Sequence, residues 1–190
     1  MQLILASQSP RRRELFELIG LPFTAVTSDA DEDIPSFTSP GSFVEQLALR
    51  KAQAVYATHP GCCVVGADTI VWLDDEIIGK PTNREDAYRI LRRLSGRTHT
   101  VYTGLAVRTD AGAEVIHDTT LVTFAALSDD EIWHYIDSGE PMDKAGAYGV
   151  QGLGAIFVQR VEGCYFTVIG MPVPILYQML KRAGIRPKDM

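Results

Sequence analysis

Residues 3–20 restrict the fold more than any other stretch of this chain. Leu3, Ile4, Leu5 and Ala6 form a short apolar run that reads as a buried strand. Ser9 offers an N-cap oxygen, Pro10 suits the first helical position and Gly20 marks the helix end, so the chain opens as a strand followed directly by a helix. Arg11, Arg12 and Arg13 then occupy the first helical turn, at the positive end of the helix dipole, where acidic residues are favoured. A local preference broken so heavily points to function. Strand, small polar loop, helix N-terminus and guanidinium forks together make an anion trap. The alternative is a surface helix whose arginines stay solvated.

A length of 190 residues suits one domain, residues 1–190, with a sizeable core. The net charge of −6 argues against a broad nucleic-acid-binding face, and no apolar run approaches the roughly 20 residues that span a bilayer. The N-terminus lacks the pattern of a secretory signal. Cys62 and Cys63 are adjacent and Cys164 stands alone, a usage that suits a reducing cytoplasm better than a disulfide framework or a zinc site. His59, His99, His117 and His134 are scattered and read as structural or surface residues. The expected partner is a small molecule, with neither nucleic acid nor membrane.

Further along, residues 23–27 read as a second strand and 28–35 as an acidic loop, in which Asp31 and Glu32 can be solvated or can supply hard oxygen ligands to a magnesium-like cation. Residues 39–58 read as a helix with Ser42 and Glu45 at capping-box spacing and an apolar face through Phe43, Leu47 and Val55. Lys51 follows Leu47 by four residues and so lies near that face, either snorkelling to water or delivering an ammonium into a cleft. Residues 62–73 are apolar and β-branched, interrupted by Gly66-Ala67-Asp68-Thr69, and read as a buried strand with a kink or break. A carboxylate within such a run is costly unless paired or metal-bound, so Asp68 is either a hydrogen-bond hub or a catalytic group. Asp74-Asp75 reads as a turn, residues 77–78 as the returning strand, and Lys80 as part of the loop after it.

Asn83 caps the next helix, two strands joined by a turn at 109–112 follow, and Ser128 with Glu131 begins a short helix. Residues 138–154 carry many glycines and read as a loop whose backbone approaches something closely, with Asp143, Lys144 and Gln151 to present. Residues 155–161 and 166–169 read as closing strands and 172–183 as a last helix with Ile175, Leu176 and Leu180 inward. Interleaved strands and helices with antiparallel pairs predict an α/β or mixed α+β fold around a central mixed sheet. The polar residues make the inventory of a metal-assisted phosphoryl or nucleotidyl site, while no P-loop, dinucleotide fingerprint or nucleophile elbow is present.

The pattern Ser7-x-Ser9-Pro10-Arg11-Arg12-x-Glu14-Leu15, then Gly66-Ala67-Asp68-Thr69, Gly79-Lys80-Pro81, Ser95-Gly96-x-x-His99 and Asp143-Lys144-Ala145-Gly146-Ala147-Tyr148-x-x-Gln151-Gly152 resembles the Maf family of nucleoside triphosphate pyrophosphatases. The motifs stand in the family's order and cover nearly the whole chain. The resemblance implies a two-lobed fold shared with inosine triphosphate pyrophosphatases, with a cleft between the lobes and commonly a homodimer. It implies hydrolysis between the α and β phosphates, with magnesium, manganese or cobalt as divalent cation.

On the same resemblance Asp68 is the proton acceptor for water. Ser7, Ser9, Arg12, Arg13, Lys51, Lys80 and Lys144 match or neighbour the triphosphate-binding positions, and Glu32 joins Asp68 at the metal. Arg11, Thr69 and Gln151 stand where the family sorts substrates, and they are similar to the dTTP/UTP branch. In the 7-methyl-GTP branch a tryptophan and a glutamate stand at the first and third positions; these suit a cationic purine, whereas Gln151 offers donor and acceptor to a neutral pyrimidine edge. The family is also associated with inhibition of septum formation, so a nucleotide-binding regulator of cell division is the competing expectation.

Overall fold

The four apolar residues Leu3–Ala6 form β1, all buried, as their unbroken hydrophobicity requires. This is a computed structural model, and it describes residues 1–186; the last four of the expected 1–190 domain lie outside the described residues. Helix α1 (Pro10–Glu17) follows β1, β2 (Thr24–Val26) comes next, and α2 (Pro40–Thr58) is the longest helix. Then come β3 (Cys63–Leu73), β4 (Glu76–Ile78), α3 (Arg84–Leu94), β5 (Thr98–Thr109), β6 (Gly112–Phe124), α4 (Asp129–Asp137), β7 (Val158–Glu162), α5 (Tyr165–Ile169) and α6 (Val173–Arg182). Among the described residues seven strands form one mixed sheet in the order β2-β1-β3-β5-β6-β7, with β4 paired to β3. β1 runs parallel to both β2 and β3, whereas β3–β4 and β6–β7 are antiparallel. The expected mixed α/β architecture is borne out.

Two compact units divide the chain. The first holds Met1–Asp68, Thr103–Asp118 and the chain from Gly170 on; the second holds Thr69–Tyr102 and Thr119–Ile169. In the first unit α2 packs through Ala48, Ala52 and Val55 against Ile4, Ala6, Val64 and Ala106. Two strand glycines allow a very close approach: a Cβ on Gly66 would collide with the Ala48 carbonyl and sit 2.9 Å from Ala52 N. A Cβ on Gly104 would sit 2.5 Å from the Val44 carbonyl carbon. β3 is therefore continuous through Gly66, and the expected kink or break is absent; this glycine serves helix proximity rather than interruption. α2 is capped by Ser39, whose hydroxyl accepts from Ser42 N in a Ser39–Ser42 capping box. The expected Ser42–Glu45 box is displaced because Pro40 takes the first helical position. Phe43 is half-buried, and Gly41 and Val44 complete the inner face instead.

The second unit buries Val71, Leu91, Leu94, Phe124, Ile132, Tyr135, Tyr148 and Phe157 in one cluster. His99 lies in it, with Nε2 2.8 Å from the Tyr148 hydroxyl and its ring edge-on to Phe124. Burial pulls the imidazole down to about 4. Asp74 and Asp75 both adopt positive φ, 54° and 60°, the geometry of a tight hairpin turn that aspartate tolerates. Asn83 and Ser128 cap α3 and α4 as their positions predict.

Three readings of the second half of the chain are corrected. Residues 166–169 lie in helix α5, not in a strand: Thr167 N donates to the Cys164 carbonyl, and Thr167 and Ile169 turn inward. Residues 155–157 belong to a 3₁₀ turn, so the closing strand starts at Val158. In α6 the inward set is Leu176, Met179 and Leu180, with Ile175 only half-buried. The expected 138–154 loop is built from short 3₁₀ turns at Glu140–Asp143, Ala145–Ala147 and Leu153–Phe157.

Candidate active site

The first unit carries the anion trap. Ser7 Oγ accepts from Ser9 N at 3.1 Å, and Ser9 Oγ accepts from Arg12 N at 3.4 Å, so the two serines shape the turn from β1 into α1. Arg12 donates from Nε to the Gly170 carbonyl at 3.0 Å, which fixes its planar fork. Desolvation holds this guanidinium below its ordinary value, Asp68 works against that, Arg11 adds to the lowering and Glu32 opposes it. Arg12 thus belongs to one electrostatic group with both carboxylates. Arg11 is half-buried and Arg13 exposed.

Beside it stands the carboxylate pair. Lys51, directed inward from α2, donates from Nζ to Asp68 Oδ1 at 2.6 Å and lies 2.7 Å from Glu32 Oε1. The Lys51 and Asp68 side chains are each only 13% exposed, whereas Glu32 is 66% exposed. Asp68 is therefore paired, as a carboxylate in an apolar strand must be. Arg50, the residue before Lys51, donates from Nη1 to the carbonyls of Asp31 (3.2 Å) and Asp33 (2.6 Å). Asp33 N in turn donates to Asp31 Oδ1 at 2.9 Å. Consecutive residues of α2 thus hold Glu32 by its side chain and its loop by the backbone on either side. In the sequence Arg50 carries only a weak signal, a second cation next to Lys51 with an acidic loop earlier in the chain.

Thr69, Lys80, Lys144 and Gln151 belong to the second unit. Thr69 is half-buried on β3, directly after Asp68; along a strand the two side chains leave opposite faces. Lys80 is exposed after β4, and Gly146 N donates to the Gly79 carbonyl at 3.0 Å, which ties the Lys144 turn to the Lys80 loop. Lys144 Nζ donates to the Glu140 carbonyl and to Asp143 Oδ1, both at 2.6 Å. Gln151 is exposed at the glycine-rich bend. The close approach expected of this stretch has a target that the sequence did not single out. A Cβ on Gly152 would sit 2.6 Å from Glu140 Oε1, and one on Gly146 2.8 Å from Val71 Cγ2. Glu140 was legible only as one acidic residue beside a proline.

The geometry defines the class: a mixed-sheet α/β protein whose strand-to-helix turn presents cations beside a lysine-bridged carboxylate pair. The chain belongs to the Maf-like protein family, whose model matches residues 2–183. A dTTP/UTP pyrophosphatase of Symbiobacterium thermophilum is 49% identical over 183 residues, covering 96% of this chain and 94% of that protein. One of Bacillus mycoides is 48% identical over 181 residues, with 95% of each covered. Among solved structures the Ham1 protein of Staphylococcus aureus superposes with a TM-score of 0.54 at 13% identity, covering 97% of this chain and 100% of that one. That likeness is one of fold.

Proposed function

We propose that the protein is a hydrolase that cleaves dTTP and UTP to the nucleoside monophosphate and pyrophosphate. The observation that carries this reading is the Lys51–Asp68–Glu32 group with Arg12 in its field. The dTTP/UTP pyrophosphatase names of relatives near half-identity over almost the full chain support it. Arg12, Arg13, Ser7, Ser9, Lys51, Lys80 and Lys144 bind the triphosphate oxygens, while Arg11, Thr69 and Gln151 favour a pyrimidine base. Asp68 takes a proton from water; the water oxygen bonds to the α phosphorus, and the bond from that phosphorus to the bridging oxygen breaks. The electron pair leaves with pyrophosphate, whose charge the cationic side chains stabilise.

Asp68 and Glu32 fit a divalent cation, for which the Lys51 ammonium is a stand-in within 2.7 Å of one oxygen of each. Two carboxylates suit a magnesium-, manganese- or cobalt-like ion that takes its other ligands from phosphate and water. Among the described residues no group of three or more His, Cys, Asp or Glu could hold a metal. Bound there, the ion would neutralise phosphate charge and sharpen the nucleophilicity of water.

We take residues 1–190 as one functional domain, because the chain crosses between its two units four times. A homodimer in the cytoplasm completes the reading, and sedimentation tests the dimer. No helix among the described residues is long and apolar enough to cross a membrane. The deciding assay is pyrophosphate release from a panel of nucleoside triphosphates with each metal. Asp68→Asn should lose roughly 10²–10⁴-fold in kcat, the usual worth of a positioned general base. Equal turnover of 7-methyl-GTP would remove the pyrimidine assignment.

A further inference from the structure

The carboxylate of Glu140 accepts three hydrogen bonds within the second unit and has no place in the chemistry above. It takes the Tyr135 hydroxyl at 2.9 Å, Leu153 N at 2.8 Å and Gly154 N at 3.1 Å. The Tyr135 oxygen in turn accepts from Gly149 N at 3.1 Å. Both ends of the segment 149–154 are therefore closed onto one Tyr135–Glu140 pair. Gln151 sits at the apex of that closed segment, exposed, with its backbone fixed from both sides. The Glu140 carbonyl meanwhile holds the Lys144 ammonium at 2.6 Å, so one residue touches the supports of both side chains. Gly152 is required by the same contact, because a Cβ there would lie 2.6 Å from the carboxylate carbon. Burial pushes the Glu140 carboxyl up, but the two backbone N–H groups, the Tyr135 hydroxyl and the Lys144 ammonium outweigh it and hold the group below its ordinary value.

We propose that Glu140 is a positioning residue for substrate selection, clasping the 149–154 segment so that Gln151 meets the base while Lys144 meets the phosphates. The assignment rests on the pyrimidine-triphosphate reading above. Glu140 does not touch substrate; it acts through a segment that would otherwise be a glycine-rich chain of many conformations. A flexible reader pays ordering entropy each time it binds, and a clasped one has been ordered by folding.

The test is Glu140→Gln, which keeps the shape but replaces one acceptor oxygen with an NH₂ that faces donors. Gly152→Ala is its partner, since it pushes the carboxylate out of the clasp from the other side. Steady-state kinetics on dTTP, UTP, dCTP and GTP are read together with amide exchange at Leu153 and Gly154. The expected result is a KM for dTTP and UTP raised roughly 10-fold, with kcat changed less than about 3-fold, a narrowed preference over GTP, and faster exchange at both amides. Such a split separates positioning from a structural loss, which would lower activity on every nucleotide alike. If the parent hydrolyses dTTP and UTP while Glu140→Gln keeps its KM values and preference, the clasp has no role in selection and the assignment falls. If the parent hydrolyses neither nucleotide, the functional reading itself falls. Should Glu140→Gln fail to fold, the same criteria apply to Gly152→Ala.

Discussion

Gly66→Ala tests how the first unit is held together. The new methyl would lie 2.9 Å from Ala52 N and nearer still to the Ala48 carbonyl oxygen, where ordinary contact begins near 3.4 Å. Both neighbours are helix backbone, and Ala48 and Ala52 are fully buried, so no flexible side chain can yield. Either α2 withdraws by roughly an ångström or β3 buckles. Overpacking of this kind costs about 1–3 kcal/mol, and against backbone the upper half of that range is expected. For a chain of this length about 2–3 kcal/mol lowers Tm by roughly 5–10 °C. Lys51 lies between Ala48 and Ala52, and its 2.6 Å bond to Asp68 does not survive an added ångström in the same geometry. Activity on dTTP should therefore fall about 10-fold, the equivalent of roughly 1.4 kcal/mol. Circular-dichroism melting and pyrophosphate release measure the two effects. The control is Gly79→Ala, where an added Cβ meets nothing within 4 Å and stability should stay within about 0.5 kcal/mol. A Gly66→Ala protein that melts and works like the parent would refute the close-packing argument.

His99 makes stability depend on pH in a defined window. Its folded value of about 4 lies below the usual 6.5, so above pH 6.5 neither folded nor unfolded chain is charged there and nothing is lost. As pH falls from 6.5 towards 4 only the unfolded chain takes up this proton, and stability drops by roughly 3 kcal/mol in all. Denaturant titrations of the parent and His99→Gln should diverge across that window; parallel curves would sink the idea. Arg50→Ala releases the carbonyls on both sides of Glu32 and should cost about 10-fold in activity with little change in Tm, because the contacts lie at the surface. Manganese titration followed by electron paramagnetic resonance should show weaker binding in that variant, and unchanged affinity would count against Arg50 as the anchor of this loop.

Local chemistry was the legible part of the chain. The Ser9, Asn83 and Ser128 caps, the Asp74–Asp75 turn and the buried β1 each depend on residues within a few positions, and all appear where their sequence places them. What stayed hidden depends on distant partners. Ser42 looked like a cap because Glu45 follows at the right interval, yet Glu45 Oε1 lies 2.7 Å from His117 Nδ1, 72 positions away. The 166–169 segment has strand-forming residues, but it is too short for periodicity to outweigh tertiary placement. Glu140 shows the same limit: its three donors come from Tyr135 and from the far side of a glycine-rich bend, and no spacing rule links them.

The Lys51 bridge also bears on the order in which this protein is made ready. In a small zinc domain the unfolded chain waits for its metal, and metal supply decides how much folded protein exists. Here the positive charge between Asp68 and Glu32 is part of the polypeptide, so the carboxylates are gathered and part of their charge is offset as soon as the chain folds. On the proposed metal-assisted reading, scarcity of divalent cations would leave a standing pool of folded, idle protein rather than unfolded chains open to proteolysis, and added metal would return that pool to use without new synthesis.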